Sequence, residues 1–167
     1  SETLVKEATF NEELSALNWP THIAVLDEKN IFIRDNYGVH LFDSEAGIET
    51  LIEGSKGAGK LTMAVADGKV IAIAGSKLLV LEKGKTTVGK TIDMGQQIAA
   101  VAKANDGNLW VSMQGSPAKI AKVNSKTGES IKTNVVTEVN LNAGAGAGCS
   151  ITAYQNKLYY SGLGSNC

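Results

Sequence analysis

The sequence is poor in residues that carry chemistry. Among 167 residues there are two histidines and two cysteines, and aromatics make up 5%. Histidine is the side chain suited to proton transfer near neutral pH. His22 opens an apolar stretch and His40 lies inside "GVHLFD", with no acid–nucleophile pattern around either. Both are read as structural. Cys149 and Cys167 are too few for a disulfide framework and supply too few ligands for a metal. They are either two free thiols or one bridge closing a short loop, worth roughly 3 kcal/mol. The H-E-x-x-H, C-x-x-C, calcium-loop and N-x-[ST] patterns are all missing. The sequence therefore assigns no catalytic residue, metal or cofactor, and the chain is read as a non-enzyme.

Neither sign of charge dominates. Sixteen basic and seventeen acidic residues leave a net charge of -1, which does not make a nucleic-acid footprint. Lysines gather at Lys56 and Lys60 and at Lys83, Lys85 and Lys90, interleaved with Gly and Thr rather than with aromatics. They are read as solvated turns. No apolar run reaches the length of a membrane span. The opening "SETLVKEATF" is unlike a signal peptide. Helix has little room, with only "NEELSAL" (Asn11 to Leu17) suited to a turn or two.

What the sequence does have is an internal repeat. The segments "DEKNIFIRD", "ADGKVIAIA", "NDGNLWVSM" and "YQNKLYYSG" align on Asn30, Lys69, Asn108 and Lys157, spaced 39, 39 and 49 residues apart. Each is a turn followed by an apolar run rich in β-branched and aromatic residues, and Asp67-Gly68 and Asp106-Gly107 are hairpin signals. The strands before the turns read "HIAVL", "LTMAVA", "AAVAKA" and "SITAY". Those after them are almost continuously apolar, as in a strand sheltered on both faces. A second hairpin follows in the first three units. Its apolar strand ends on Asp43, Glu82 or Asn124, and a turn bearing Gly47, Gly84 or Gly128 leads to a polar outer strand.

Four antiparallel strands in about 40 residues, apolar inside and polar outside, match a β-propeller blade. The chain is thus expected to be all-β, a β-propeller portion over residues 1–167 with about three and a half four-stranded antiparallel blades. The blades fall at residues 20–53, 61–96 and 97–135, with a partial blade at 149–162. Residues 1–19 form an N-terminal segment, of which Thr3 to Phe10 suits an outer strand of the last blade. An arc of blades leaves apolar faces and sheet edges to be covered. The cover is expected from the remaining blades of a longer chain or from a second copy closing the ring.

Two glycine-rich stretches invite other readings. "GSKGAGKL" (Gly54 to Leu61) has the spacing of the phosphate-cradling motif G-x-x-x-x-G-K-[ST] except at its last residue. Such a loop works by joining a strand to a helix N-terminus. Here the following "LTMAVADGKVIAIA" alternates and turns as strand does, so the stretch is read as an inter-blade link. "NAGAGAGCS" (Asn142 to Ser150) lacks G-x-G-x-x-G spacing and occupies the next equivalent link. Doubling a loop costs only about 0.6 kcal/mol of closure entropy, so length alone does not imply function. Even so, links of this kind line one end of a propeller's central channel.

The loops joining the second and third strands lie at the same end of each blade as these links. They carry Arg34, Asp35, Asn36 and Tyr37 in the first blade and Gln114, Gly115 and Ser116 in the third, while the links carry Trp19, Gln96, Gln97 and Asn142. Aromatic, amide and charged residues gathered at one rim suit a small polar ligand or a partner. The candidate ligand-binding residues are Trp19, Arg34, Asp35, Asn36, Tyr37, Gln96 and Gln114. The competing reading is that Trp19-Pro20 packs a blade edge and the rest are solvated.

The repeats "DGKVIAIA…KLLVLEKGKT" and "DGNLWVSM…AKIAKVNSKTGE" resemble those of the YncE-like, surface-layer-type β-propellers of Gram-negative bacteria. The likeness covers most of residues 20–162. It implies an exported protein, either an outer-membrane lipoprotein at the cell surface or a periplasmic one. It also implies a ligand such as a corrinoid, and an outer-membrane transporter as neighbour. The expected function is non-enzymatic capture of a small molecule, corrinoid-like or glycan, at the central funnel. The alternative is a protein-interaction scaffold partnering an outer-membrane transporter or another surface protein.

Overall fold

A computed structural model describes residues 17–57, 62–115, 117–136, 150–155 and 157–161. All regular structure among them is β-strand. The first sheet holds β1 (His22–Asp27), β2 (Asn30–Arg34), β3 (Val39–Asp43) and β4 (Ile48–Leu51). The second holds β5 (Ala64–Ala66), β6 (Lys69–Ala74), β7 (Lys77–Leu81) and β8 (Lys90–Asp93). The third holds β9 (Ile98–Lys103), β10 (Leu109–Met113), β11 (Ala118–Val123) and β12 (Ser130–Val136). A final hairpin joins β13 (Ser150–Tyr154) to β14 (Lys157–Ser161). Strands neighbour one another in chain order within each sheet, and every pair is antiparallel. The architecture is a partial β-propeller with three complete blades and the inner hairpin of a fourth.

The packing explains the continuous apolar runs. Successive side chains of a strand point to opposite faces. In β6, Val70 and Ala72 pack with Ala24, Phe32, Val39 and Leu41 of the first blade, together with Leu79 and Leu81. Ile71 and Ile73 point the other way, with Leu78 and Val80, onto Val101, Leu109, Val111 and Val123 of the third blade. Both faces of the second blade are thus core, so both parities of β6 must be apolar. Burying one such Val, Leu or Ile side chain contributes about 1.5–3 kcal/mol. The third blade turns Ala99, Ala118, Ile120 and Val136 toward Leu158 of the last hairpin.

The turns also follow from the sequence. Asp67 and Gly68 both have positive φ, 51° and 68°, as a two-residue hairpin turn between β5 and β6 requires. The Asp106-Gly107 turn is wider, closing with Ala104 N to Asn108 O at 2.8 Å. In the outer hairpins Asp43 Oδ1 accepts from the amides of Glu45 and Ala46, and Asn124 Oδ1 from those of Lys126 and Thr127. A strand ending in a short polar side chain therefore caps its own turn.

Neighbouring blades are fastened at their outer parts as well. Glu53 pairs with the turn of the second blade, donating to Thr86 O at 2.8 Å and accepting from Val88 N at 3.0 Å. Asn30 Oδ1 accepts from Gly84 N at 2.6 Å. Lys90 Nζ donates to the carbonyls of Lys126 and Thr127, 2.7 and 3.1 Å away.

The glycine-rich Gly54–Gly57 stretch is a turn. Ser55 is fully buried there, its Oγ bonded to Val39 N and Ile52 O. Strand β5, not helix, lies downstream. The expected helical turn before Leu17, the N-terminal strand, Cys149, Cys167 and the Asn142–Cys149 run lie outside the described residues.

Candidate functional site: the rim of the blades

The rim of the first blade is built around Asp35. Its side chain is fully buried at the start of the loop between β2 and β3. Oδ1 accepts from the amides of Tyr37 and Gly38 at 2.7 and 3.0 Å, and Oδ2 accepts from Asn18 N at 2.8 Å. Burial raises the pKa of this carboxyl, but the amides of Asn18, Gly38 and Tyr37 and the charge of His40 outweigh it. The net result is a pKa below the ordinary aspartate value. Asp35 thereby ties the incoming segment at Asn18 to the loop at Asn36-Tyr37. A second tie is Asn36 N to Asn18 O at 2.9 Å.

His40 sits behind this loop with 2% of its surface exposed. Its Nε2 lies 3.0 Å from Asp35 Oδ2, and its Nδ1 meets Glu49 Oε1. Each carboxylate faces a different ring nitrogen, so the three groups do not converge on one point. Among the described residues no group of three or more His, Cys, Asp or Glu is arranged to hold a metal ion.

Arg34 takes the opposite direction. Alternation along β2 sends it with Phe32 toward the second blade, where it is fully buried. Nη2 donates to Ile73 O at 2.7 Å and Nη1 to Thr62 O at 3.3 Å. Burial lowers its pKa to about 10, so it stays charged at neutral pH. Burial, and then the Arg34 charge, also lower the pKa of His22.

What this rim leaves to solvent is mainly aromatic. Trp19 is 75% exposed and Tyr37 53% exposed. Trp19 holds a φ of 57°, a left-handed conformation that is unusual for a bulky residue and more so before a proline. Asn36 is exposed beside them, its Nδ2 3.4 Å from Asn18 Oδ1.

Gln96 and Gln114 form a separate group on the third blade. Gln96 Nε2 donates to Gln114 O at 3.1 Å, and Gln114 N donates to Gln97 O at 2.7 Å. Gln114 Nε2 is buried without a hydrogen-bond partner among the described residues. The tight turn at Gly75–Ser76, between β6 and β7, occupies the equivalent place on the second blade.

The structure thus brings Trp19, Asp35, Asn36 and Tyr37 together, turns Arg34 into the blade interface, and pairs Gln96 with Gln114 at the third blade. Sequence reasoning passed over Asn18, Ser55 and the His40–Glu49 contact. Strand alternation was the available signal for His40, because it separates His40 from Val39 and Leu41.

Comparison with known proteins agrees with the propeller reading. Residues 1–167 match the profile of the family described as "Domain of unknown function (DUF5074)". No curated protein matches. YCF48, solved bound to D1 peptide, superposes with a TM-score of 0.57 at 16% identity, over 96% of this chain and 50% of that one. PorZ, a surface component of the type-IX secretion system of Porphyromonas gingivalis, gives 0.59 at 15% identity, over 88% and 20%. Hydrazine synthase of Kuenenia stuttgartiensis gives 0.56 at 16% identity, over 82% and 40%. The chain spans half or less of each of these solved chains. At such identities the likeness is one of fold, and it extends over a peptide-bound protein, a secretion-system component and an enzyme.

Proposed function

The chain belongs to the DUF5074 family, and on its fold and rim we propose that it is a non-enzymatic β-propeller scaffold whose first-blade rim docks an extended segment of a partner protein. The observation that carries this reading is the exposure of Trp19 and Tyr37, 75% and 53%, on an incoming segment and a loop that the fully buried Asp35 ties together. Exposed aromatics on a rigid support are the residues that dominate protein interfaces. The two charges that could have gripped a small ionic ligand, Arg34 and Asp35, are instead buried and spent on internal hydrogen bonds. In support, YCF48 carries a peptide on a related fold, and PorZ is a component of a secretion system.

A glycan is the second reading, favoured by the Asn18 and Asn36 amides beside an exposed indole. A corrinoid rests on the repeat resemblance alone. So does the exported setting, at the surface or in the periplasm, and an outer-membrane transporter fits as the partner in that setting. Among the described residues no helix is long and apolar enough to cross a membrane.

The test is binding of the purified chain to arrays of peptides and of glycans, repeated with Trp19→Ala and Tyr37→Ala. The reading expects saturable peptide binding that both substitutions abolish. Binding to glycans alone, or peptide binding indifferent to both residues, overturns it.

A further inference from the structure

The outer strands of the three blades are not alike. β4 and β8 have four residues each, whereas β12 runs for seven, Ser130-Ile131-Lys132-Thr133-Asn134-Val135-Val136. The short outer strands are also tied to the next blade. Glu53, just beyond β4, pairs with Thr86 and Val88, and Lys90 of β8 reaches the carbonyls of Lys126 and Thr127. β12 pairs with β11 on one side and meets no strand on the other among the described residues. Residues 130–135 are all exposed, with Ile131 at 54% and Val135 at 57%.

Natural sheets protect their edges by keeping edge strands short, or with proline, bulges or charge. The β12 segment has no proline or glycine and a single charge, Lys132. Its one irregularity is the register shift opposite Lys122/Val123, near its start. In the register with β11, Thr133 stands opposite Ala121 and Val135 opposite Lys119. Thr133 and Val135 therefore share one face, and with Ile131, the unpaired residue at the register shift, they make the margin of the blade β-branched.

The order of residues is complementary to itself. Reversed about Thr133, the strand sets Ile131 against Val135, Lys132 against Asn134, Ser130 against Val136, and Thr133 against Thr133. Exposed apolar residues meet apolar residues. The one charge meets an amide instead of its own copy. Cross-strand pairs of this kind are what stabilise an antiparallel ladder.

We infer that β12 is a self-association edge: two copies of the chain pair their β12 strands antiparallel about a two-fold axis through Thr133, joining the two third blades into one continuous sheet. Such an interface is isologous and closes at a dimer. It leaves the first-blade rim free and stands independently of the rim's function.

The test uses the whole purified chain. Sedimentation velocity over a range of concentrations reads the dimer. The double variant I131K/V135K sets lysine against lysine in both apolar pairs. It should raise the dimer dissociation constant about tenfold or more while leaving the circular-dichroism spectrum unchanged. In a chain with Cys149 and Cys167 replaced by serine, Thr133→Cys should form a disulfide-linked dimer on mild oxidation, because only residue 133 faces itself. Thr91→Cys on β8 should not. A chain that stays monomeric at every concentration overturns the inference. So does a dimer that I131K/V135K leaves intact and Thr133→Cys fails to cross-link.

Discussion

The Arg34 guanidinium donates to the Ile73 carbonyl across the interface between the first two blades, at 2.7 Å and out of reach of solvent. A charged donor on a carbonyl makes a stronger hydrogen bond than a neutral one. Nη1 adds the Thr62 carbonyl at 3.3 Å. Truncating the side chain leaves the buried Ile73 carbonyl without this donor and empties the volume of the largest fully buried side chain among the described residues. Arg34→Ala is therefore expected to cost about 2–4 kcal/mol, measured by urea denaturation. Arg34→Lys should restore part of it, since a lysine keeps the charge but not the forked geometry.

Asp35 makes stability depend on pH, and the sign follows from its depressed pKa. The folded chain holds this carboxyl ionised at pH values where the unfolded chain, with an aspartate value of about 3.9, has begun to protonate. The stability it contributes is complete above the unfolded value and is lost as pH falls through the folded one. Unfolding free energy measured between pH 7 and 3 should drop at the acid end, and Asp35→Asn should flatten that drop. His22, also depressed, contributes a separate loss that begins as pH falls through about 6.5, which His22→Gln should remove.

The propeller was legible because its signals are local. Val70 to Ala74 is apolar at every position, which requires cover on both faces, and blades stacked face to face provide it. Asp43 and Asn124 each close a turn within four residues. The fate of the rim residues is not local. Charged residues in a loop are ordinarily at the surface, and the sequence implies that for Arg34 and Asp35. Arg34 is buried by bonding to Ile73, 39 residues on, and Asp35 by bonding to Asn18, 17 residues back. No pattern in the chain announces either partner. The exposure of Trp19 and Tyr37 runs against their type and depends on the backbone shape that Asp35 sets.

Gly38 is held by space rather than by its backbone angle. A Cβ there would lie 2.6 Å from Ser55 Oγ and 2.9 Å from Ser55 O. The second contact is with backbone, so removing the hydroxyl would not relieve it. Gly38→Ala is expected to destabilise by about 1–3 kcal/mol, and Ser55→Ala should fail to rescue it in the double variant. Chemical denaturation of the two single variants and the double variant checks this. Additive losses, or a worse double variant, are the expected result, because Ser55 Oγ also satisfies Val39 N.

Trp19 offers a prediction in which stability and binding move in opposite directions. Its φ of 57° is strained for any residue with a Cβ, and the side chain is 75% exposed with little packing to lose. Trp19→Ala keeps the strain and should change stability by no more than about 0.5 kcal/mol. Trp19→Gly removes the strain and should stabilise the fold by about 0.5–1 kcal/mol, even after the greater freedom of glycine in the unfolded chain. If the indole is the anchor of a docking rim, both variants lose the partner equally. A residue kept in a strained conformation that glycine would relieve, at no benefit to folding, is then explained by what it binds. Thermal denaturation and partner titration on the same two proteins decide it. Trp19→Gly less stable than Trp19→Ala, or full binding by either, would remove the argument that the strain serves recognition.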